Sequence, residues 1–369
     1  MLEAKQDFVA LTTFRAIGAL CVIQFHAWMI VYPAWPESWI FHGIELWPDY
    51  FFALSGFILM HVYSTTLFAR KNSLYNYFVH RVARVYPLHL FMLVVLIGLE
   101  ALRWALSYWK PDGYGHFFSG NTSPKYIITN LLLVQAWGIQ KTNSWNIPAW
   151  SVSAEFACYL VFPLLLRYKL VNRKIFALAL VLFAIVGLSW IQFTRHTFNV
   201  TYDLGVPRAF FSFSLGCVLY EYRQQFLQSL SFIPPLALQA GVIIAIVAAI
   251  ITNAAPLVYI PLWILLIASF TYEDTALAKA LSWKPFVRLG DMSYSLYMTH
   301  IIVLWVLFQA KSTAPDLLQT FLAWPRVLIL FAIIGATIGI SMLTFPYVEN
   351  TGRAFIRKRF DRRNAPRAA

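Results

Sequence analysis

The chain has 369 residues, of which 60% are hydrophobic and only 12% are charged. A soluble domain is typically about half apolar and about a quarter charged, so the composition excludes an ordinary soluble protein and predicts an integral membrane protein. The net charge of +13 does not require nucleic acid, because Lys and Arg collect in the cytoplasmic loops of membrane proteins. We therefore expect a lipid bilayer, and no nucleic acid, as a partner. The three cysteines have no metal-like spacing, and we predict no metal site.

Ten apolar stretches approach the roughly 20 residues that a helix needs to cross a bilayer. They predict an all-α, polytopic membrane protein, a bundle of about ten transmembrane helices. The first stretch has no cleavage site after it and is predicted to be a retained helix. A further apolar piece, 126–139, is too short to cross and is predicted to be interfacial or re-entrant. The predicted spans are 11–32, 47–68, 86–108, 149–166, 175–193, 206–222, 235–252, 257–272, 291–310 and 325–347.

The distribution of basic residues predicts the orientation of this bundle. With the N-terminus inside, 20 of the 29 Lys and Arg residues fall on the cytoplasmic side and eight on the outer side. This bias, with an even number of spans, places both termini in the cytoplasm. Residues 351–369 are then a basic cytoplasmic tail that faces the inner leaflet.

The first predicted span, "FRAIGALCVIQFHAW", contains two ionisable residues, Arg15 and His26. Eleven residues separate them, which at 100° per residue returns to nearly the same helix face after a rise of about 16 Å. Because ionisable groups are costly within a membrane, each is a candidate functional residue. One stripe therefore carries a cation near the cytoplasmic side and an imidazole in the outer half.

Two carboxylates approach the level of this imidazole on other helices. The second span begins outside with "WPDYFFALSGFIL", which contains Asp49, and the fourth with "IPAWSVSAEFACYLVFP", which contains Glu155. A carboxylate beside His26 would fix its tautomer and suit it to act as a general base on a hydroxyl. Packing of an isolated histidine and capping of a helix by Asp49 are the structural alternatives.

The third span presents two arginines at the opposite, cytoplasmic side. In "FVHRVARVYPLHL", Arg81 and Arg84 are three residues apart and share a helix face. Two guanidinium groups on one face suit phosphate groups. The alternative is that both are ordinary basic residues of a cytoplasmic boundary.

Six stretches in this order resemble the acyltransferase 3 family, multi-spanning bacterial enzymes that O-acylate, usually O-acetylate, extracytoplasmic glycans. The residues before Arg15 read "LTT" where the family often has Leu-Asp-Gly, and "YVENTGR" stands where it often has Glu-x-Pro. The resembling stretches are "FRAIGALCVIQFHA", "DYFFALSGFIL", "HRVARVYPLHL", "PAWSVSAEFACYLVFP", "VPRAFFSFSLGCVLY" and "LGDMSYSLYMTHIIV".

The resemblance implies a transmembrane acyltransferase domain over residues 1–350 and a role for each matching residue. His26 would be the catalytic base or an acyl carrier, and Glu155 would orient it or relay protons. The phosphates of a cytoplasmic acyl-CoA, most simply acetyl-CoA, would bind to Arg15, Arg81 and Arg84. The pocket would be lined or supported by Asp49, Ser55, Arg208, Tyr297 and His300.

Taken together, these features predict an O-acyltransferase of the bacterial inner membrane that acts on a hydroxyl of a surface glycan or exopolysaccharide. A proton-coupled transporter is the alternative, with His26 and Glu155 as a proton relay. Such transporters often show internal repeats, and none is evident here. A non-catalytic acyl-group flippase or sensor is a further alternative.

Overall fold

A computed structural model describes residues 8–31, 43–69, 73–108 and 116–362, and no strand occurs within these ranges. The predicted all-α class is confirmed. The helices within these ranges are α1 Val9–Val31, α2 Trp47–Tyr63, α3 Ser73–Ser107, α4 Ile127–Leu131, α5 Ala149–Arg167, α6 Lys174–Arg195, α7 Gly205–Ser229, α8 Pro235–Ile251, α9 Pro256–Ser269, α10 Ala276–Leu281, α11 Lys284–Asp291, α12 Ser293–Thr313, α13 Pro315–Leu322, α14 Arg326–Thr344 and α15 Thr351–Phe360.

Six helical stretches of the described chain are long and apolar enough to cross a membrane, so the protein is a multi-pass membrane protein. They are Val9–Met29, Ser73–Ser107, Ala149–Arg167, Lys174–Arg195, Ser293–Ala310 and Arg326–Phe360. The count of about ten is not confirmed. Helices α8 and α9 are apolar but have only 17 and 14 residues, α2 has 17, and α7 is long but more polar.

Helices α2 and α7 pack so closely that glycine is required on both. A Cβ atom at Gly56 would lie 2.1 Å from the carbonyl oxygen of Phe213, and one at Gly216 would lie 1.8 Å from that of Ala53. Both distances are far below van der Waals contact. The two backbones therefore touch, which fixes the wall of the bundle that carries Ser55.

The short apolar piece predicted over 126–139 lies against α3 and α5. It contains α4 and the turns that follow it. The Tyr86 hydroxyl donates to the carbonyl of Leu131 at 2.6 Å, and the Ser153 hydroxyl donates to that of Leu133 at 2.7 Å. These bonds satisfy backbone groups that would otherwise be left unpaired in an apolar setting. Residues 109–115 of the predicted loop 109–148 lie outside the described ranges.

The C-terminal part of the chain turns back along α3. A π-helical segment, Phe345–Asn350, joins α14 to α15, and α15 packs on the first half of α3. Asp361 lies 3.1 Å from the Nε2 atom of His80. Residues 363–369 of the predicted tail lie outside the described ranges. We call the end of the bundle where α2 ends, α3 begins and α15 ends the basic end.

Candidate functional site

A cavity of about 330 Å³ lies between α1, α2, α3, α5, α12 and α15. It brings together residues that the sequence analysis singled out on five different helices. Its polar lining consists of Arg15, Ser55, Arg81, Arg84, Ser151, Glu155, Tyr159, Ser293, Tyr294, Tyr297, Arg353 and Arg357, and its apolar lining of Pro48, Phe51, Phe52, Leu54, Ile58, Leu59, Val85 and Val152.

The charge of this lining is strongly positive. Five arginines face the cavity, and Glu155 is the one carboxylate among the lining residues. Neither Arg15 nor Arg81 forms an ion pair with a carboxylate of the described chain. Cations that converge on a concave, low-dielectric site attract an anion strongly. The arrangement therefore suits a phosphate-bearing ligand.

Arg81 is held by aromatic rings instead of by a carboxylate. Its guanidinium lies 5.5 Å from the ring centroids of Tyr63 and Tyr159 and 5.9 Å from that of Tyr77. The Nε atom of Arg81 is buried and has no hydrogen-bond partner among the described residues. Cation–π contacts orient a guanidinium without neutralising it. Arg81 thus keeps its full charge and spare donors.

Arg84 is fixed by a carboxylate that the sequence analysis did not select. Glu349 lies in the π-helical segment and is fully buried. Its carboxylate accepts from Arg84 at 3.3 Å, from Arg353 at 2.5 Å and from the Ser295 hydroxyl at 2.8 Å. Single π-helical turns occur frequently at functional sites. In the sequence, only the glutamate of "YVENTGR" points to this contact, and that stretch departs from the family pattern.

Arg353 and Arg357 were also missed as lining residues, because the sequence analysis assigned them to a basic tail. In the structure they lie on α15, which packs on α3 and turns them towards the cavity. Only the fold reveals this, since a basic helix after the last span is expected in any membrane protein.

His26 contacts another histidine. The Nε2 atom of His300 lies 3.3 Å from the Nδ1 atom of His26, which also lies 3.0 Å from the carbonyl oxygen of Val22. A carbonyl oxygen can only accept, so Nδ1 of His26 carries the proton. Nε2 of His300 is then an acceptor, and Nε2 of His26 keeps a free lone pair. His300 is fully buried, whereas His26 is partly exposed.

The expectation that Asp49 approaches His26 is wrong. Its carboxylate binds Arg208 through two nitrogens, with the closest contact at 2.6 Å, and accepts from the Ser212 hydroxyl at 2.9 Å. Asp49 and Arg208 are both buried. They join the first turn of α2 to α7, away from the cavity lining. Depth along a helix does not tell which side of the helix a residue faces, and a buried arginine is the stronger partner for a carboxylate.

Glu155 also has a different setting from the one expected. It lines the cavity close to Tyr159, near enough to Arg15 to interact with it electrostatically, and no hydrogen bond or ion pair joins it to His26 in the described chain. In the described chain, Glu155 therefore does not orient His26 by direct contact. Ser55 and Tyr297 line the same cavity.

The cavity ends close to the histidine pair. The Tyr297 hydroxyl lies 2.7 Å from the Ser151 hydroxyl at the lining, and the ring of Tyr297 lies 6.2 Å from that of His300, centroid to centroid. His300 is in turn 5.0 Å from the His26 ring. His26 itself does not line the cavity. The arginine-lined cavity and the histidine pair are therefore neighbours, since Tyr297 and His300 lie one helical turn apart on α12.

A multi-pass helical bundle that holds an anion-binding cavity beside a histidine pair is suited to group transfer. Residues 8–345 match the profile of the family described as Acyltransferase domain, and the chain belongs to this family, acyltransferase 3. The family predicted from six motifs is confirmed.

A curated relative is an acyltransferase as well. The chain is 27% identical over 278 residues to "Acyltransferase MdmB" of Streptomyces mycarofaciens, and the match covers 69% of this chain. The chain spans 66% of the length of that relative. No solved structure matches the chain.

Proposed function

We propose that the protein is an O-acyltransferase of the bacterial inner membrane, with both termini in the cytoplasm. It moves an acyl group, most simply acetyl, from cytoplasmic acyl-CoA to a hydroxyl of an extracytoplasmic glycan. The observation that carries this proposal is the cavity, lined by five arginines and one carboxylate and ending beside the histidine pair. The phosphates of CoA provide the anion, and its pantetheine arm is long and slender enough to reach towards the histidines.

In this mechanism His26 acts as the general base. The lone pair of its Nε2 atom takes the proton of the acceptor hydroxyl as the hydroxyl oxygen attacks the thioester carbonyl carbon. The new C–O bond forms, and the carbonyl π electrons move to the oxygen. When the intermediate collapses, the C–S bond breaks, the sulfur of CoA leaves as a thiolate, and the imidazolium returns its proton to that thiolate. The same residues are compatible with an acyl-histidine intermediate, in which His26 attacks first.

Arg15, Arg81 and Arg84 bind the phosphates of the donor in this proposal, together with Arg353. Arg15 and Arg81 contribute uncompensated charge, whereas Glu349 fixes the direction of Arg84 and Arg353. Asp49 and Arg208 support the cavity wall. Glu155 balances part of the arginine charge and relays protons.

Transfer of label from acetyl-CoA tests the proposal. Purified protein is incubated with radiolabelled acetyl-CoA and bacterial surface polysaccharide, and label in the polysaccharide is counted. His26→Ala is expected to abolish transfer while the protein remains monodisperse in detergent. Normal activity of a well-folded His26→Ala variant would falsify the mechanism.

The role of the arginines is tested by the dependence on donor concentration. Replacing Arg81 and Arg84 together by Ala is expected to raise the KM for acyl-CoA at least tenfold. Arg167 and Arg173 are exposed basic residues that do not line the cavity, so their double Ala variant is the matched control and keeps the wild-type KM. An equal effect of both double variants would contradict a specific phosphate site.

A proton-coupled transporter remains the second candidate from the sequence, with the same histidine as a relay. The family to which the chain belongs argues against it, and the labelling experiment separates the two, because a transporter forms no covalent acyl product. A non-catalytic flippase or sensor is separated by the same result.

A further inference from the structure

Two hydroxyl groups, those of Tyr297 and Ser151, form a pair at one end of the cavity. Tyr297 and Ser151 are buried and line the cavity, and their oxygens lie 2.7 Å apart. Each also lies 3.1 Å from the carbonyl oxygen of Pro148. Both O–H groups thus have the same carbonyl oxygen within reach, and the 2.7 Å contact between the two hydroxyls requires one of them to donate to the other.

We propose that Tyr297 donates a hydrogen bond to the carbonyl oxygen of the acyl group and stabilises the oxyanion that forms there. This inference rests on the proposed acyl-CoA-dependent function and names a further catalytic residue for it. In the empty cavity both hydroxyl protons are used within the triangle of Tyr297, Ser151 and Pro148. When the thioester arrives, the Tyr297 proton turns to its carbonyl oxygen while Ser151 keeps donating to Pro148. No buried polar group loses its partner in this exchange.

The position of the pair fits an oxyanion. Arg81 and Arg84 lie on α3, whereas Tyr297 lies on α12. In the proposed function these arginines hold the charged part of the donor, so the thioester reaches the part of the cavity where Tyr297 lies. One turn further along α12, His300 contacts His26. The proposed donor to the carbonyl oxygen thus lies one turn of α12 from the histidine that contacts His26, the proposed base.

The start of α5 adds to the effect. Ser151 is the third residue of this helix of 19 residues, so the pair lies at its positive N-terminal end. A helix N-terminus and an aligned hydroxyl both favour negative charge. Negative charge on the carbonyl oxygen grows only in the transition state, so these groups lower the barrier more than they strengthen ground-state binding.

Tyr297→Phe removes the proposed donor, together with the contacts of its hydroxyl with Ser151 and Pro148. Loss of one oxyanion donor lowers kcat by a factor on the order of 100, and we expect such a fall with little change in the KM for acyl-CoA. Tyr86→Phe is the control, since it removes a hydroxyl that donates to the loop carbonyl of Leu131 but does not line the cavity. A purely structural role of Tyr297 would lower thermal stability, as in the control, without a selective loss of kcat.

The carbonyl stretching band of acyl-CoA labelled with ¹³C at the carbonyl provides the direct test. A hydrogen bond lowers the frequency of this band, so the infrared band of acyl-CoA bound to the wild-type protein is expected below that bound to Tyr297→Phe. Replacement of Tyr297 by 3-fluorotyrosine, a stronger donor of nearly the same size, is expected to lower it further and covers the case in which Tyr297→Phe fails to fold.

The outcomes separate the two proposals. A bound thioester whose band is the same in the wild type and in the Tyr297 variants overturns the role of Tyr297 and leaves the proposed function standing. Failure of the wild-type protein to bind acyl-CoA at all overturns the proposed function and this role with it.

Discussion

At the scale of single residues, the partner of His26 decides which of its nitrogens can act as a base. The Val22 carbonyl and His300 both face Nδ1, which leaves Nε2 free. When Nε2 takes a proton, the positive charge spreads to the Nδ1–H group, and the lone pair of His300 accepts a stronger hydrogen bond from it. In the proposed mechanism a second imidazole thus fills the place that a carboxylate holds in a serine protease triad.

This role of His300 predicts different effects for two substitutions. His300→Leu removes the acceptor and is expected to lower kcat by about tenfold to 100-fold, less than the full contribution of a general base of about 10²–10⁴-fold. His300→Gln can place an amide oxygen at the position of Nε2 and should keep more of the activity. Steady-state kinetics at saturating acyl-CoA measure the difference. Equal losses in both variants would mean that His300 fills space only.

The sequence predicted the individual residues of the site better than their pairing. Arg15 and Glu155 line the cavity, and His26 lies beside its end, because intramembrane charges are confined to protected positions. The residues that pair with His26 and Arg84 could not be predicted in the same way. His300 is 274 residues from His26, and Glu349 is 265 from Arg84, so only the packing of distant helices brings them together.

At the scale of helices, the contact between α2 and α7 supports the cavity wall that contains Ser55. Gly216→Ala would place a methyl carbon 1.8 Å from the carbonyl oxygen of Ala53, a backbone atom that cannot turn aside. Overpacking of a core costs about 1–3 kcal/mol, and we expect a loss at or above the upper end of that range. Thermal unfolding in detergent measures this loss of stability. Gly335→Ala is the control, since no atom lies within 4 Å of its Cβ position; equal unfolding temperatures for the two variants would refute the close contact.

The ion pair between Asp49 and Arg208 joins the same two helices. Asp49→Ala would leave the Arg208 charge buried without its partner, and removal of one member of a buried pair costs about 3–5 kcal/mol. The half-exposed pair of Arg195 and Asp203, at 2.9 Å, provides the control, because exposed pairs contribute only about 0–1 kcal/mol. The free energy of unfolding is therefore expected to fall far more for Asp49→Ala than for Asp203→Ala. A small effect of Asp49→Ala would mean that water reaches Arg208.

At the scale of the whole molecule, composition and motif order were sufficient to predict the all-α membrane class and the family. They were not sufficient to predict the number of membrane spans. Hydropathy identifies a helix by its apolar residues. Helix α7 contains the buried polar residues Arg208, Ser212 and Ser214 and ends in the polar stretch "EYRQQFLQS", so its mean hydropathy is low although the helix is long. The sequence also did not predict that the chain turns back along α3, because a π-helical segment has no simple sequence signature. That turn is what brings Arg353 and Arg357 to the cavity.

The same architecture predicts that the donor is used from one side of the membrane only. Four of the five cavity arginines lie on α3 and α15, two of the helices that meet at the basic end. In the proposed function acyl-CoA, which cannot cross a bilayer because of its phosphates, enters there. Vesicles that expose the basic end to the medium should incorporate label from added acyl-CoA into polysaccharide supplied within them, and vesicles of the opposite orientation should not.

Phe360 is exposed at the end of α15, so labelling of Phe360→Cys with an impermeant thiol reagent identifies the orientation. If vesicles of both orientations used external acyl-CoA equally, then a cavity that admits the donor from the basic end would not be the route of the reaction. In that case the arginines would serve the fold alone.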